Sequence, residues 1–334
     1  MRRLLRRTAA AVLLLIAIAS GSAFIVLRAI SMPGPLAQER AVVIPRGAGV
    51  DTISRLLAQA GIVRESWQVM LAARLRSANR QLRAGEFLFP AHVSAVDAIE
   101  ILRSGQPIVR RFTVAEGLTA AQVIQLLERD PSLAGAVPPV PPEGSLLPET
   151  YHYTWGDQRA DLVERMRSKM REALAELWAR RSAATPVKTP EEAVVLASIV
   201  EKETSVPEER ARIAGVFANR LAAGMRLQSD PTVVYAVTGG SGPLGRSITR
   251  ADLRMDSPYN TYLVDGLPPG PIANPGLASL EAVLNPEPHQ FLYFVADGNG
   301  GHAFARTLAE HNRNVARWRA AQRDQLQQTE NPSD

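Results

Sequence analysis

The hydrophobic positions of this chain follow three different rhythms. From Thr8 to Leu27 no charged residue interrupts a 20-residue apolar run, about 30 Å long as a helix and matched to the hydrocarbon thickness of a bilayer. Between 42 and 127, short apolar runs alternate with helical spacing. "VVIPRGAGVDTISRLL" (42–57) reads as a strand, a Pro-x-Gly turn and an amphipathic helix. "FTVAEGLTAAQVIQLL" (112–127) repeats it 70 residues later: Ile44, Gly47, Ile53, Leu56 and Leu57 correspond to Val114, Gly117, Val123, Leu126 and Leu127. "FLFPAHVSAVDAIEIL" (87–102) is a weaker copy, with Ser94 as N-cap and Asp97 closing a capping box. Such repeats predict small α/β modules, either as packing units or as ligand-binding ones. Five prolines between 136 and 148 break the pattern, and the rest is predicted mostly helical, starting with a charged helix over 160–184.

The most apolar of the later helices raises a problem of charge. In "TPEEAVVLASIVEKET" (189–204), Thr189 caps, Pro190 takes the first helical position and Glu192 closes a capping box. Ala193 to Val200 then surround the axis with apolar surface, which predicts burial. Pro207 stops the helix by about Thr204. Glu201 and Glu203 therefore sit in the last turn, where the dipole disfavours an anion by roughly 0.3–1 kcal/mol. Apolar neighbours would disfavour it further, so Glu201 is expected to be a carboxylic acid held neutral, the form a general acid needs. Its side chain should lean over Ala197 and Ser198, whose small size leaves room for a substrate. Alternatively, Glu201 and Lys202 simply begin a solvated turn. Glu203 points about 200° away round the axis and cannot face Glu201.

Charge changes the picture at the N-terminus only. The chain has 38 basic and 33 acidic side chains; Arg2, Arg3, Arg6, Arg7 and Arg28 account for the whole excess, leaving 33 of each beyond residue 28. Without a basic face, no nucleic-acid partner is expected. The arginines before the apolar run orient its start toward the cytoplasm. "SGSA" offers a signal-peptide cleavage site, but the run continues through Phe24–Leu27, which favours a retained anchor. There is no cysteine, which excludes disulfides and thiol chemistry.

Downstream, "ARIAGVFANRLAAG" should end at a C-capping Gly224, after a start framed by Ser205 and Glu208. Asp230 is expected to cap a helix with Pro231 at N1. The loops offer Gln228, Asp230, Tyr259, Asn260, Thr261 and Tyr262, polar and aromatic groups suited to hydroxyls and ring faces of sugars. "FLYFVADGNGGHAFARTLAEH" reads as a β-hairpin with a Gly-rich turn, carrying His302 on its second strand, then an amphipathic helix. His289, His302 and His311 lack the spacing of a metal site.

Taken in order, "LASIVEKET", "NRLAAGMRLQSDPTVVY", "SPYNTYLVDGLPPGPIANPG", "FLYFVADGNGGHAF" and "EHN" resemble the endolytic murein transglycosylase (YceG-like) family. "EGSLLPETY" (143–151) resembles that family's "EGxLFPDTY", with Leu147 and Glu149 as departures. The resemblance implies an α+β fold: cytoplasmic tip and transmembrane anchor over 1–30, linker over 31–40, LysM-like modules over 41–135, a mainly helical catalytic domain over 136–328 and a disordered tail over 329–334. It implies a single-pass inner-membrane enzyme facing the periplasm, acting on peptidoglycan glycan strands, with cell-wall synthases (penicillin-binding proteins) as candidate partners and no metal or cofactor. Glu201 lands on the family's catalytic glutamate. Ser198, Glu203, Gln228, Asp230, Tyr259, Asn260, Thr261, Tyr262 and His302 are the expected substrate contacts.

Overall fold

The computed structural model describes residues 2–76 and 82–330. Among them are eleven α-helices and six short strands, arranged as three two-stranded sheets. The chain forms two compact units. The first takes in the chain up to Arg110 with 132–134 and 152–157; the second takes in 111–131, 135–151 and the chain from 158 onward.

In the first unit, helix α1 (Arg2–Ser31) carries the apolar run, with its side chains from 6 to 28 exposed. Strand β1 (Arg40–Ile44) is followed by α2 (Val50–Gln59) and α3 (Ser66–Leu75), and β2 (Gly85–Phe89) by α4 (Ala95–Ser104). β1 and β2 are antiparallel, with Val42 opposite Phe87 and Ile44 opposite Gly85. The first repeat and the weaker copy thus pair with each other. Their inward positions, including Ile44, Ile53, Leu57, Phe89, Ile99 and Leu102, fill one core, each worth about 1.5–3 kcal/mol of burial. Ser94 accepts a hydrogen bond from the Asp97 amide (3.2 Å), as its capping role requires.

The segment expected as a linker is packed. Ile30 and Leu36 belong to this core. The Gly34 amide bonds the Val93 carbonyl (3.2 Å), and the His92 amide bonds that of Leu36 (2.8 Å). Gly34 has no room for a side chain: a Cβ would stand 2.4 Å from the carbonyl oxygens of Ile62 and Val93.

The third copy behaves differently. Strand β3 (Val109–Thr113) pairs with β4 (Thr150–Thr154), and α5 (Ala120–Arg129) belongs to the second unit. The two units divide near residue 110. α5 starts with a full capping box between Thr119 and Gln122.

The second unit continues with α6 (Arg159–Ala179), α7 (Pro190–Glu203), α8 (Arg210–Ala222), α9 (Asp230–Thr238), α10 (Leu277–Leu284), the hairpin β5 (Tyr293–Ala296) and β6 (His302–Ala305), and α11 (Leu308–Glu330). α6 stops short of the expected 184. The expected tail lies outside the described residues from 331 on, and 329–330 end α11. α7 is the central helix: Ala193 to Val200 are all buried, against Ile213 and Phe217 of α8 and Leu280 and Val283 of α10. Thr189 accepts from the Glu192 amide (3.2 Å). Two caps differ from expectation. A 3-10 turn over Pro207–Glu209 leads into α8, and Ser229, not Asp230, precedes α9 at the N-cap. At the end of α8, Gly224 adopts φ +65° and the Met225 amide bonds the Arg220 carbonyl (2.8 Å), a left-handed stop that suits glycine.

Candidate functional site

Because α7 is apolar on every side, it is fixed in the core and its last turn is delivered to one place. That turn places Lys202 in the wall of a cleft of about 490 Å³ within the second unit, lined also by Glu116, Gly117, Asp230 and Tyr235, and Glu201 lies beside that wall against Gly117. The size falls in the range of ligand sites. Gly117 has φ +75°, and a Cβ there would stand 3.6 Å from Glu201 Cγ and 3.3 Å from Lys202 Cδ. Gly117 thus packs directly against the Glu201 and Lys202 side chains. The small residues expected to make room for a substrate do not: Ala197 and Ser198 are fully buried. The Ser198 hydroxyl donates to the Val195 carbonyl (2.7 Å) and accepts from the Ile272 amide (3.0 Å), a tie between α7 and the following loop.

The surroundings of Glu201 are polar, contrary to the apolar pocket expected. Its side chain is 6% exposed. Oε2 accepts a hydrogen bond from the Gly276 amide (2.9 Å), the N-cap of α10, and Oε1 lies 3.6 Å from Arg210 Nη2. The negative pole of α7 is thus answered by the positive pole of α10 and by a cation at the start of α8. Arg210 Nη2 also reaches Glu116 Oε2 at 3.4 Å. Burial, then the charge of Glu201, push the Glu116 carboxyl above the usual carboxylate range, while Arg210 pulls the other way.

Asn274, fully buried, holds this arrangement together. Its backbone accepts from the Gly117 amide (3.0 Å) and donates to the Leu118 carbonyl (2.9 Å). Its side chain accepts from the Leu146 amide (3.0 Å) and donates to the Leu118 carbonyl (2.9 Å). The loop carrying Glu116 is thereby pinned to the loop carrying Gly276. The fit is close: a Cβ on Gly276 would stand 1.8 Å from Glu116 Oε1. Nearby, the Glu143 carboxyl accepts from the Ala120 amide (2.7 Å), and burial raises its pKa.

The other expected residues divide into two groups. Asp230 lines the cleft, its Oδ1 accepting from the Tyr262 hydroxyl (2.6 Å). Tyr259 packs against Tyr235 with centroids 4.9 Å apart and the rings tilted by 48°. Gln228 is exposed with φ +50°, its amide bonded to the Thr261 carbonyl (3.1 Å).

Asn260 and Thr261 are fully buried and consumed by the loop: Asn260 donates to the Met255 carbonyl (2.9 Å), and the Thr261 hydroxyl accepts from the Ser229 amide (2.9 Å). The Glu203 carboxyl accepts from the Ser229 hydroxyl; burial pushes its pKa up to about 7, with Asp230 adding to the rise. His302 is engaged by Glu209, Nδ1 to Oε2 at 2.6 Å, and His289 Nε2 by the Arg212 carbonyl at 2.8 Å. Glu149 pairs with Lys169 at an exposed position. These six residues are engaged by the scaffold in this structure, and Ser198 joins them.

Sequence reasoning missed Glu116, Arg210 and Gly276. One signal was available. Within the matched repeats, Glu116 stands where the first copy has Arg46, a reversal of charge next to the glycine that the two turns share.

The sequence profile of the YceG-like family matches residues 42–317. The chain belongs to the YceG-like family. A solved YceG-like protein from Listeria monocytogenes shares 28% identity and a TM-score of 0.51, over 83% of this chain and 98% of that one. An endolytic murein transglycosylase of Bacillus subtilis (strain 168) is 39% identical over 173 residues, 52% of this chain and 47% of the relative. One from Streptococcus pneumoniae (strain D39) is 30% identical over 321 residues, 82% of this chain and 57% of the relative. This YceG-like chain spans about half the length of the curated relatives it matches.

Proposed function

We propose that the chain is a membrane-anchored lytic transglycosylase that cuts peptidoglycan glycan strands internally, with Glu201 as its catalytic group. The observation that carries this reading is the Glu201 carboxyl, held by the Gly276 amide and Arg210 directly behind Gly117 and Glu116, which line the cleft. The relatives' names supply the substrate class.

In this mechanism Glu201 donates its proton to the oxygen linking N-acetylmuramic acid to N-acetylglucosamine, and the C1–O bond breaks. The resulting Glu201 carboxylate takes the proton of the same muramic residue's C6 hydroxyl, whose oxygen closes on C1. The product end is a 1,6-anhydro ring, no water is consumed, and the enzyme returns with its proton. One carboxyl serves both transfers, whereas a glycoside hydrolase divides the work between two. Such proton transfer contributes about 10²–10⁴ in rate. Tyr235 and Tyr259 offer ring faces, and Asp230 and Gln228 offer polar groups, to the sugars on either side.

The apolar helix of 26 residues, Arg6–Ser31, meets the length and composition of a membrane span. With the arginines at its start it supports a single-pass inner-membrane location, N-terminus cytoplasmic and the chain beyond α1 periplasmic. On the same reading the strand–turn–helix repeats of the first unit are LysM-like modules that steer glycan, and cell-wall synthases are candidate partners. Mass spectrometry of purified peptidoglycan digested by wild type and Glu201→Gln tests the proposal. The expected result is anhydro-ended fragments from the wild type and a loss of about 10³-fold or more in the variant. Reducing ends would assign a hydrolase instead, and full activity in the variant would remove Glu201 from the chemistry.

A further inference from the structure

Two contacts on Glu201 attract negative charge, the Gly276 amide and the Arg210 guanidinium. A general acid needs the opposite, a group that keeps its proton until the leaving oxygen takes it. The Glu116 carboxyl supplies the counterweight. It reaches the same Nη2 atom as Glu201 does, so one guanidinium faces two carboxyls. Two acids beside a single cation are not both ionised cheaply, and the proton retained belongs to the pair.

Two other charged groups lie near the pair. Lys202, from Glu201's own helix, donates to the Gly117 carbonyl (3.3 Å). Glu209, the residue before Arg210, is occupied by the His302 amide (2.9 Å) and ring. The remaining contribution is the N-terminus of α10 at Gly276.

We propose that Glu116 is a positioning residue of the active site: by sharing Arg210 with Glu201, it prevents the guanidinium from neutralising Glu201 alone, so that the carboxyl pair holds one proton between them. The inference rests on the transglycosylase reading above. During the reaction Glu116 neither gains nor loses a proton overall. When Glu201 has protonated the leaving oxygen, both carboxyls are briefly anionic, and their repulsion drives Glu201 to recover a proton from the C6 hydroxyl. The same second carboxyl thus assists both halves of the cycle. The structure defends its placement closely, since Gly276 admits no side chain against Glu116 and Asn274 fixes the turn that carries it.

The test is the pH profile of kcat/KM on purified peptidoglycan for the full chain in detergent, comparing wild type, Glu116→Gln, Glu116→Asp and Arg210→Met. Removing the like charge should weaken the hold on the catalytic proton, so Glu116→Gln moves the alkaline limb down by about one pH unit. Removing the cation should do the reverse, and Arg210→Met moves that limb up. Glu116→Asp, which keeps the charge, should hold the limb at its wild-type position even if the rate falls. The proposal is overturned if Glu116→Gln leaves the limb in place, whether the rate is lowered or not, or if Glu116→Asp shifts it as Glu116→Gln does. Failure of the transglycosylase reading shows separately, as anhydro-ended products persisting in Glu201→Gln.

Discussion

Glu203 shows how a carboxyl two positions from Glu201 acquires a different environment. Its carboxyl turns into the protein, accepts from the Ser229 hydroxyl and titrates at about 7 instead of 4.5 because it is buried. In the unfolded chain it releases its proton near the ordinary value, so between about 4.5 and 7 the folded state binds more protons than the unfolded one. Stability contributed by this group is complete below that window and is lost as pH rises through it. Glu203→Gln has no proton to lose. Its unfolding free energy relative to wild type should therefore rise by on the order of 2–3 kcal/mol between pH 4.5 and 8. Urea melts at several pH values measure the difference; a difference that stays constant with pH would mean that the carboxyl is solvated in the native state.

At the scale of elements, the site is made where helix ends meet with their charges reversed. Glu201 is an acidic residue at the negative end of α7, and Arg210 is a cation at the positive start of α8. Each is unfavourable to its own helix by a few tenths of a kcal/mol to about 1 kcal/mol, and each is compensated by the other. The sequence displayed both anomalies, but it could not show that they meet, because that depends on how α7 and α8 pack. Caps and periodicities were legible for the same reason that they are local: Thr189, Pro190 and Gly224 act within a few residues of themselves. Asn260 and Thr261 misled because a polar side chain can serve a loop's own backbone as well as a ligand, and only burial separates the two. Gly276 was hidden for another reason. Its amide caps Glu201 and its missing side chain makes room for Glu116, and neither duty leaves a pattern in neighbouring residues. Gly276→Ala should therefore displace the Glu116 carboxyl, which stands only 1.8 Å from where the new Cβ would be. Expected is a fall in kcat/KM of tenfold or more, roughly the loss of one positioned charge, with the thermal midpoint lowered by only a few degrees. A variant of wild-type activity would show that Glu116 has freedom the packing denies it.

At the scale of the molecule, the two units have separate cores, and the anchor belongs structurally to the first. Ile30, at the end of α1, is 2% exposed and lies in the same cluster as Phe87, Phe89 and Leu102. The side chain of Gln68 in α3 donates to the Ala29 carbonyl (2.8 Å), fastening the helix end to the unit a second time. The helix therefore continues into folded protein without a slack joint, and damage at that joint should register in the first core and not in the chemistry. Ile30→Asp places an unpaired carboxylate where a core methyl group was. The expected cost to the first unit is about 3–5 kcal/mol, from lost packing together with the burial of an unpaired charge. In detergent, hydrogen exchange should accelerate across β1, β2 and α4, while amides of α7 and α8 keep their protection. Cleavage of soluble glycan fragments short enough to occupy the cleft alone should persist at the wild-type rate, because no group around Glu201 comes from the first core. Equal loss of protection in both units would mean that they fold as one cooperative body, and that the anchor's seat supports the site as well as the membrane attachment.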